Sequence, residues 1–139
     1  MEAKKTPVVL HRAVFGSLDR FIAYYLEETK GVLPVWLAPT QVMIMPVSSE
    51  HQKDYANEIK ELLIKENIRV EVDDRNEKLG YRLRESQIKK IPITIILGDN
   101  EQNDKTISYR LFGNKETTTL TKEESISYIK DLIEKRTRL

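Results

Sequence analysis

Three short runs, QVMIMPV at residues 41–47, IRVEVD at 68–73 and ITIIL at 93–97, are separated by two segments whose apolar residues return every three or four positions. Runs of this length, apolar or alternating, suit strands, whereas the longer spacing suits a helix with one buried stripe. This alternation of strand, helix, strand, helix and strand restricts the fold more than any other feature. Strands joined by a helix pair in parallel through right-handed crossovers, so the chain predicts an α/β sheet with helices laid on its faces. ITIIL is the most apolar of the three and belongs at the centre, where both faces are covered.

The intervening segments support this order. Residues 52–66 place Tyr55, Ala56, Ile59, Leu62 and Leu63 on one side of a helix that Asn67 can end. Residues 78–90 form a second helix with Leu79 and Leu83 inward, leaving Arg82, Arg84 and Lys89 to solvent, and Pro92 closes it. Residues 99–104 read as a polar turn. A fourth strand is expected at 106–112, a tight turn at Gly113-Asn114 and a short fifth strand at 116–120. Thr121 with Glu124 makes a capping box for a last helix carrying Ile126, Ile129, Leu132 and Ile133. Towards the amino terminus, Val8-Val9-Leu10 is a β-prone run with nothing to complete it. Ser17 caps a helix reaching about Thr29, with Leu18, Phe21, Ile22, Tyr25 and Leu26 on one side, and Gly31 and Pro34 stop it. The expected product is a mixed five-stranded sheet with three parallel strands and an edge hairpin, flanked by helices. The carboxyl ends of its parallel strands would gather residues 46–50, 73–77 and 98–101 at one rim, where such sheets bind ligands.

Composition narrows the function. With 139 residues the chain can build one sizeable core. It has no cysteine, which excludes disulfides and thiol catalysis. No stretch approaches the roughly 18 apolar residues of a membrane helix, and the opening MEAKKT lacks the apolar core of an export signal, so a cytoplasmic location is expected. Net charge is only +1, but its distribution is uneven. From Arg75 to Lys90 there are six basic residues (Arg75, Lys78, Arg82, Arg84, Lys89, Lys90) against two acidic ones, Glu77 and Glu85. Such a stretch is either a solvated helix face or a contact for phosphate.

No phosphate-binding glycine loop, zinc-protease helix or nucleophile elbow is present. The two histidines, His11 and His51, are far apart and have no cysteine to join them in a zinc site. Asp73 and Asp74 form a carboxylate pair at a strand end that could bind a metal or act as acid and base. Neighbouring strand side chains point to opposite faces, however, so a shared site needs the strand to have ended before them. Arg75 and Asn76 follow them. An amide can donate and accept on one base edge, and a guanidinium can grip phosphate or guanine, but the same residues also suit a helix start with solvated charge. Glu101 and Arg110 bracket a turn on the same sheet, either as a cross-strand ion pair or as acceptor and donor for unstacked bases.

Longer strings carry a resemblance. HRAVFGSLDRF (residues 11–21), LPVWLAPTQV (33–42), and VEVDDRNEKLGYR (70–82) with Ile91-Pro92 and Gly98-Asp99 together resemble the carboxyl-terminal part of a bacterial-type threonyl-tRNA synthetase, a class II aminoacyl-tRNA synthetase. The resemblance covers nearly the whole chain, and W-L-A-P with R-N-E-K separates the threonyl type from its prolyl, histidyl and glycyl relatives. It implies that residues 1–34 are the tail of a catalytic domain with the third class II signature, and that 35–139 are an anticodon-binding domain. It also implies a segment of a longer protein. In that parent, His11 would be the third zinc ligand and Arg20 would contact the ATP phosphates. Zinc, and ATP with magnesium, would belong to the parent, with no cofactor and no threonylation expected of these residues alone. Asn76, Glu101 and Arg110 match positions that read anticodon bases, while Lys78, Arg82 and Arg84 are phosphate contacts on charge alone. The implied partners are the anticodon stem-loop of tRNA(Thr) and the remainder of the synthetase chain. The chain itself is expected to be monomeric, and its parent homodimeric. Two other readings are a free-standing accessory α/β domain that binds a protein or another RNA, and a small-ligand protein, which would need a concave polar pocket.

Overall fold

The order of elements follows the hydrophobic pattern closely. The computed structural model describes residues 6–48 and 50–137; residues 1–5, which carry most of the opening read as free of an export signal, lie outside them. The strands are β1 (Val42–Pro46), β2 (Val70–Val72), β3 (Ile93–Leu97), β4 (Thr106–Leu111) and β5 (Thr118–Thr121). The helices are α1 (Leu18–Glu28), α2 (Lys53–Lys65), α3 (Leu79–Ile88), α4 (Asp99–Asp104) and α5 (Lys122–Glu134). The sheet order is β2-β1-β3-β4-β5. β1 is parallel to β2 and β3, while β4 is antiparallel to β3 and to β5. The three parallel strands and edge hairpin are therefore as expected. The backbone divides into two compact units, Met1–Gly31 and Val32–Leu139, and the second contains the sheet.

Each face of the sheet has its own apolar layer. Val42, Ile44, Ile93, Ile95, Leu97, Ile107 and Tyr109 point to one side, where Tyr55, Ala56, Ile59 and Leu63 of α2 and Ile129 and Leu132 of α5 meet them. Each fully buried aliphatic side chain there contributes about 1.5–3 kcal/mol relative to exposure. On the other side Met43, Met45 and Ile91 pack with Leu79 and Leu83 of α3. α3 packs on β1 and α5 packs on β4 and β5.

Local signals place the ends. Asn67 adopts a left-handed φ of 58° and closes α2, with Ile68 N–H donating to the Leu63 carbonyl at 3.0 Å. Thr121 and Glu124 form the expected capping box at α5. The connector before β1 is held by Arg69. Its Nε–H and Nη2–H donate to the Ala38 carbonyl at 3.0 and 2.9 Å, and Nη2–H also donates to that of Trp36. Buried Gln41 completes the clasp by donating to the Val35 carbonyl and accepting from Arg69 N–H, both at 2.9 Å.

Four expectations are corrected. Residues 99–104 form a helical turn and a half rather than a polar turn, because Glu101 reaches back to the Gly98 N–H at 2.9 Å and the acids of its first turn suit a helix start. The hairpin connection is longer than Gly113-Asn114. Asn114 Oδ1 accepts from Glu116 N–H at 3.0 Å, which holds the chain in a turn and delays β5 to Thr118. Val8-Val9-Leu10 forms no strand. Arg82, placed in solvent by its charge, is 1% exposed. It belongs to the inward stripe of α3, in step with Leu79, Leu83 and Ser86, and Ser86 itself is buried against the Thr94 hydroxyl at 2.8 Å.

Candidate nucleic-acid interface

The carboxyl ends of the parallel strands form a rim, as the topology requires. Val47, Ser48, Glu50, Arg75, Asn76, Glu77 and Arg82 line a cleft of about 530 Å³ there. Asn76 is exposed, and its amide makes no hydrogen bond within the described residues, so both its donor and its acceptor face outward. Lys78, two residues further on, is exposed as the residue that caps α3.

Arg75, the other base-reading candidate of this loop, is engaged internally. Its Nε–H and Nη2–H donate to the two oxygens of Asp73 at 2.9 and 2.7 Å, and Nη2–H also donates to Glu85 of α3. The hydrogen bond from Arg75 is the main reason the Asp73 carboxyl titrates below its usual 3.8, and the same partner lowers Glu85. Arg75 therefore braces the loop, whose other exposed residues Asp74, Asn76 and Glu77 include one amide, that of Asn76.

β3 ends beside the end of β1, where a Cβ on Gly98 would lie 3.6 Å from Val47 and 3.0 Å from Glu101 Oε2. That close approach lets the Glu101 carboxylate fold back over Gly98. One oxygen accepts from Gly98 N–H at 2.9 Å and the other from Ser108 Oγ at 2.7 Å. Desolvation raises the Glu101 pKa, but the hydrogen bonds from Ser108, its own backbone and Gly98 outweigh it and leave the carboxyl below the usual 4.5. Glu101 is thus a fixed anion. Ser108 continues the chain of contacts to the Thr119 hydroxyl on β5 at 2.7 Å.

Arg110 follows Ser108 by two residues on β4, on the same face and roughly 7 Å along the strand. It forms no ion pair with Glu101; its Nη2–H donates to Thr117 Oγ1 at 3.1 Å. Its Nε is buried without a hydrogen-bond partner among the described residues. Leaving such a donor unpaired costs about 1–3 kcal/mol. The guanidinium consequently has little bonding to give up on turning towards an outside acceptor.

The remaining candidates are distributed differently. Arg84 is exposed but far from the rim, in a groove of about 410 Å³ with Ile88, Phe112 and Lys115 at the opposite end of the sheet. Arg82 is buried and is corrected from a phosphate contact to a structural group. His11 and Arg20 are exposed in the amino-terminal unit. Among the described residues no three His, Asp or Glu converge to hold a metal. No helix among the described residues is long and apolar enough to cross a membrane. Sequence reasoning missed Ser108 and Thr119, whose only signal is the period-two placement of Ser108 with Arg110.

Residues 41–132 match the model of the anticodon-binding domain family. The chain belongs to that family, and within it groups with the threonine--tRNA ligases. It is 46% identical over 132 residues to the threonine--tRNA ligase of Exiguobacterium sp. strain AT1b, covering 95% of this chain and 20% of that one. With the enzyme of Enterococcus faecalis it shares 51% identity over 112 residues, 81% of this chain and 17% of that one. The chain thus spans about a fifth of the length of these relatives. Its fold matches the RNA binding domain of threonyl-tRNA synthetase from Cryptosporidium parvum Iowa II with a TM-score of 0.79 and 28% identity, covering 84% of this chain and 29% of that one. A prolyl-tRNA synthetase of the same organism, complexed with L-proline and AMP, gives 0.68 at 30% identity over 76% of this chain and 24% of that one.

Proposed function

We propose that the chain reads the anticodon loop of tRNA(Thr) on behalf of a cytoplasmic threonine--tRNA ligase that activates threonine with ATP and transfers it to tRNA. Asn76, Glu101 and Arg110 read bases. Asn76 offers a free amide, Glu101 a fixed acceptor, and Arg110 an underused donor fork. Lys78 and Arg84 add sequence-independent attraction to phosphate. The observation that carries this reading is Arg110, a guanidinium with an unpaired Nε on the sheet face that Glu101 adjoins.

Residues 1–34 serve the rest of the synthetase chain in this reading, and 35–139 serve the RNA. α1 supports that division: none of its residues is buried, and Leu18 is 73% exposed on the same helix as Phe21, Ile22 and Leu26. An apolar stripe of this kind needs a cover, and the synthetase body is the partner proposed for it. In the assembled enzyme His11 would complete a zinc site with ligands from elsewhere, and Arg20 would meet the phosphates of magnesium-bound ATP. The chain alone would be monomeric and catalytically silent, and the parent homodimeric. The test is a titration of the chain with threonine-accepting anticodon stem-loops and with loops altered at the second and third anticodon bases. A chain that binds all of them equally is not an anticodon reader.

A further inference from the structure

Arg82 is the one guanidinium of the rim turned wholly inward. Its Nη1–H donates to the Asp73 carbonyl at 2.7 Å and its Nε–H to that of Glu77 at 3.2 Å. Nη2–H donates to the Pro46 carbonyl at 2.8 Å and to that of Val47 at 3.5 Å. Four of the five N–H groups of an arginine are accounted for by these carbonyls. The acceptors lie at the end of β1, just beyond β2 and in the loop entering α3. They are the carbonyl groups a parallel sheet leaves unpaired where its strands stop. Among the described residues no carboxylate oxygen bonds Arg82 directly, although the Asp73 carboxylate is near enough for its pKa to be lowered by this charge after the larger effects of Arg75.

We infer that Arg82 is a positioning residue for RNA recognition: it sets the separation of the β1 end and the 73–77 loop, and so fixes where Asn76 stands in the rim cleft. Asn76 lies between two of the anchored carbonyls, Asp73 and Glu77, and has no anchor of its own. The loop has two other ties: Arg75 on Asp73 and Glu85 braces it to α3, and the Asp73 N–H donates to the Ile44 carbonyl of β1 at 2.8 Å, which holds its first residue but not Glu77. Among the side chains of the described residues, Arg82 alone bonds all three segments. It acts through backbone and does not touch RNA. The inference rests on the anticodon reading above, and deepens it by naming what holds the base-reading amide in place.

The experiment uses the 139-residue chain with Arg82→Met and Arg82→Lys. Amide hydrogen exchange at Asp73 and Glu77 is measured without RNA, and stem-loop titrations follow at two salt concentrations. Arg82→Met is expected to speed exchange at those two amides about tenfold while β1 and β3 remain protected. Cognate affinity should fall about tenfold, mismatched loops should change little, and the salt dependence should be unaltered. Arg82→Lys keeps the charge with three donors and should recover most of both losses. Unchanged exchange at Asp73 and Glu77, or a salt dependence reduced by about one ion, would overturn the inference, the latter because it marks a lost phosphate contact. If Arg82→Met does not fold, Arg82→Lys carries the decision through a smaller rise in exchange at the same amides and a partial loss of discrimination. A wild-type chain that fails to discriminate anticodons sinks the RNA reading, whereas the exchange measurement alone still decides whether Arg82 governs the rim.

Discussion

The Ser108 hydroxyl donates to the Glu101 carboxylate at 2.7 Å, tying the first turn of α4 to the strand that carries Arg110. This contact holds an acceptor and a donor fork on adjoining parts of one surface without letting them neutralise each other. A direct ion pair between Glu101 and Arg110 would have left neither group free for an outside partner.

Ser108→Ala should therefore weaken the fixed anion. The lost charge-assisted bond costs roughly 1–2 kcal/mol of stability at neutral pH, and the Glu101 pKa should rise. NMR titration of the Glu101 side chain checks the direction. A carboxyl that titrates as before would remove Ser108 from the site.

Acid should loosen the same region. Glu101 and Asp73 titrate below 4.5 and 3.8 in the folded chain. Each therefore adds stability above its unfolded value, and that stability is lost as pH falls through the lower folded value. Thermal unfolding midpoints should hold between pH 7 and about 5 and decline below about 4.5. Glu101→Gln should flatten that decline, and an equal slope in the variant would count against the assignment.

Arg110→Met separates stability from binding. It removes an unpaired buried donor, so the unfolding midpoint should stay level or rise. Cognate stem-loop affinity should nevertheless fall by about tenfold or more, equivalent to roughly 1–3 kcal/mol for a lost bidentate base contact. Loss of stability and affinity together would make Arg110 a packing residue instead.

Asn76→Ala and Lys78→Ala should fail in different ways. The first should lose roughly 1–3 kcal/mol against cognate loops and little against loops altered at the anticodon. The second should weaken all loops by similar factors and reduce the salt dependence by about one ion. Identical behaviour of the two variants would erase the distinction between base reading and phosphate contact.

The order of elements was legible because it depends on local periodicity. Leu79 and Leu83 mark α3 inward, Tyr55, Ala56, Ile59 and Leu63 mark α2, and Thr121 with Glu124 marks the start of α5, each within a few residues. The position of Asn76 just beyond β2 was legible for the same reason. The short helix at Asp99–Asp104 was not, since six polar residues carry no periodic stripe and the helix depends on Glu101 folding back over Gly98.

Sequence by itself determined the order of elements along the chain, the three parallel strands with an edge hairpin and the apolar helix stripes, and its longer strings pointed to the family. Only the tertiary structure decided which charges stay in solvent. Arg75 and Arg82 are seven residues apart in one basic run, yet one pairs with Asp73 and Glu85 and the other is buried under carbonyls of Pro46, Asp73 and Glu77. Spacing alone placed Arg82 in step with Leu79 and Leu83, but charge argued for solvent. Burial of a guanidinium is tolerable only where acceptors replace its water, and here they come from strand ends that meet only after the sheet has formed.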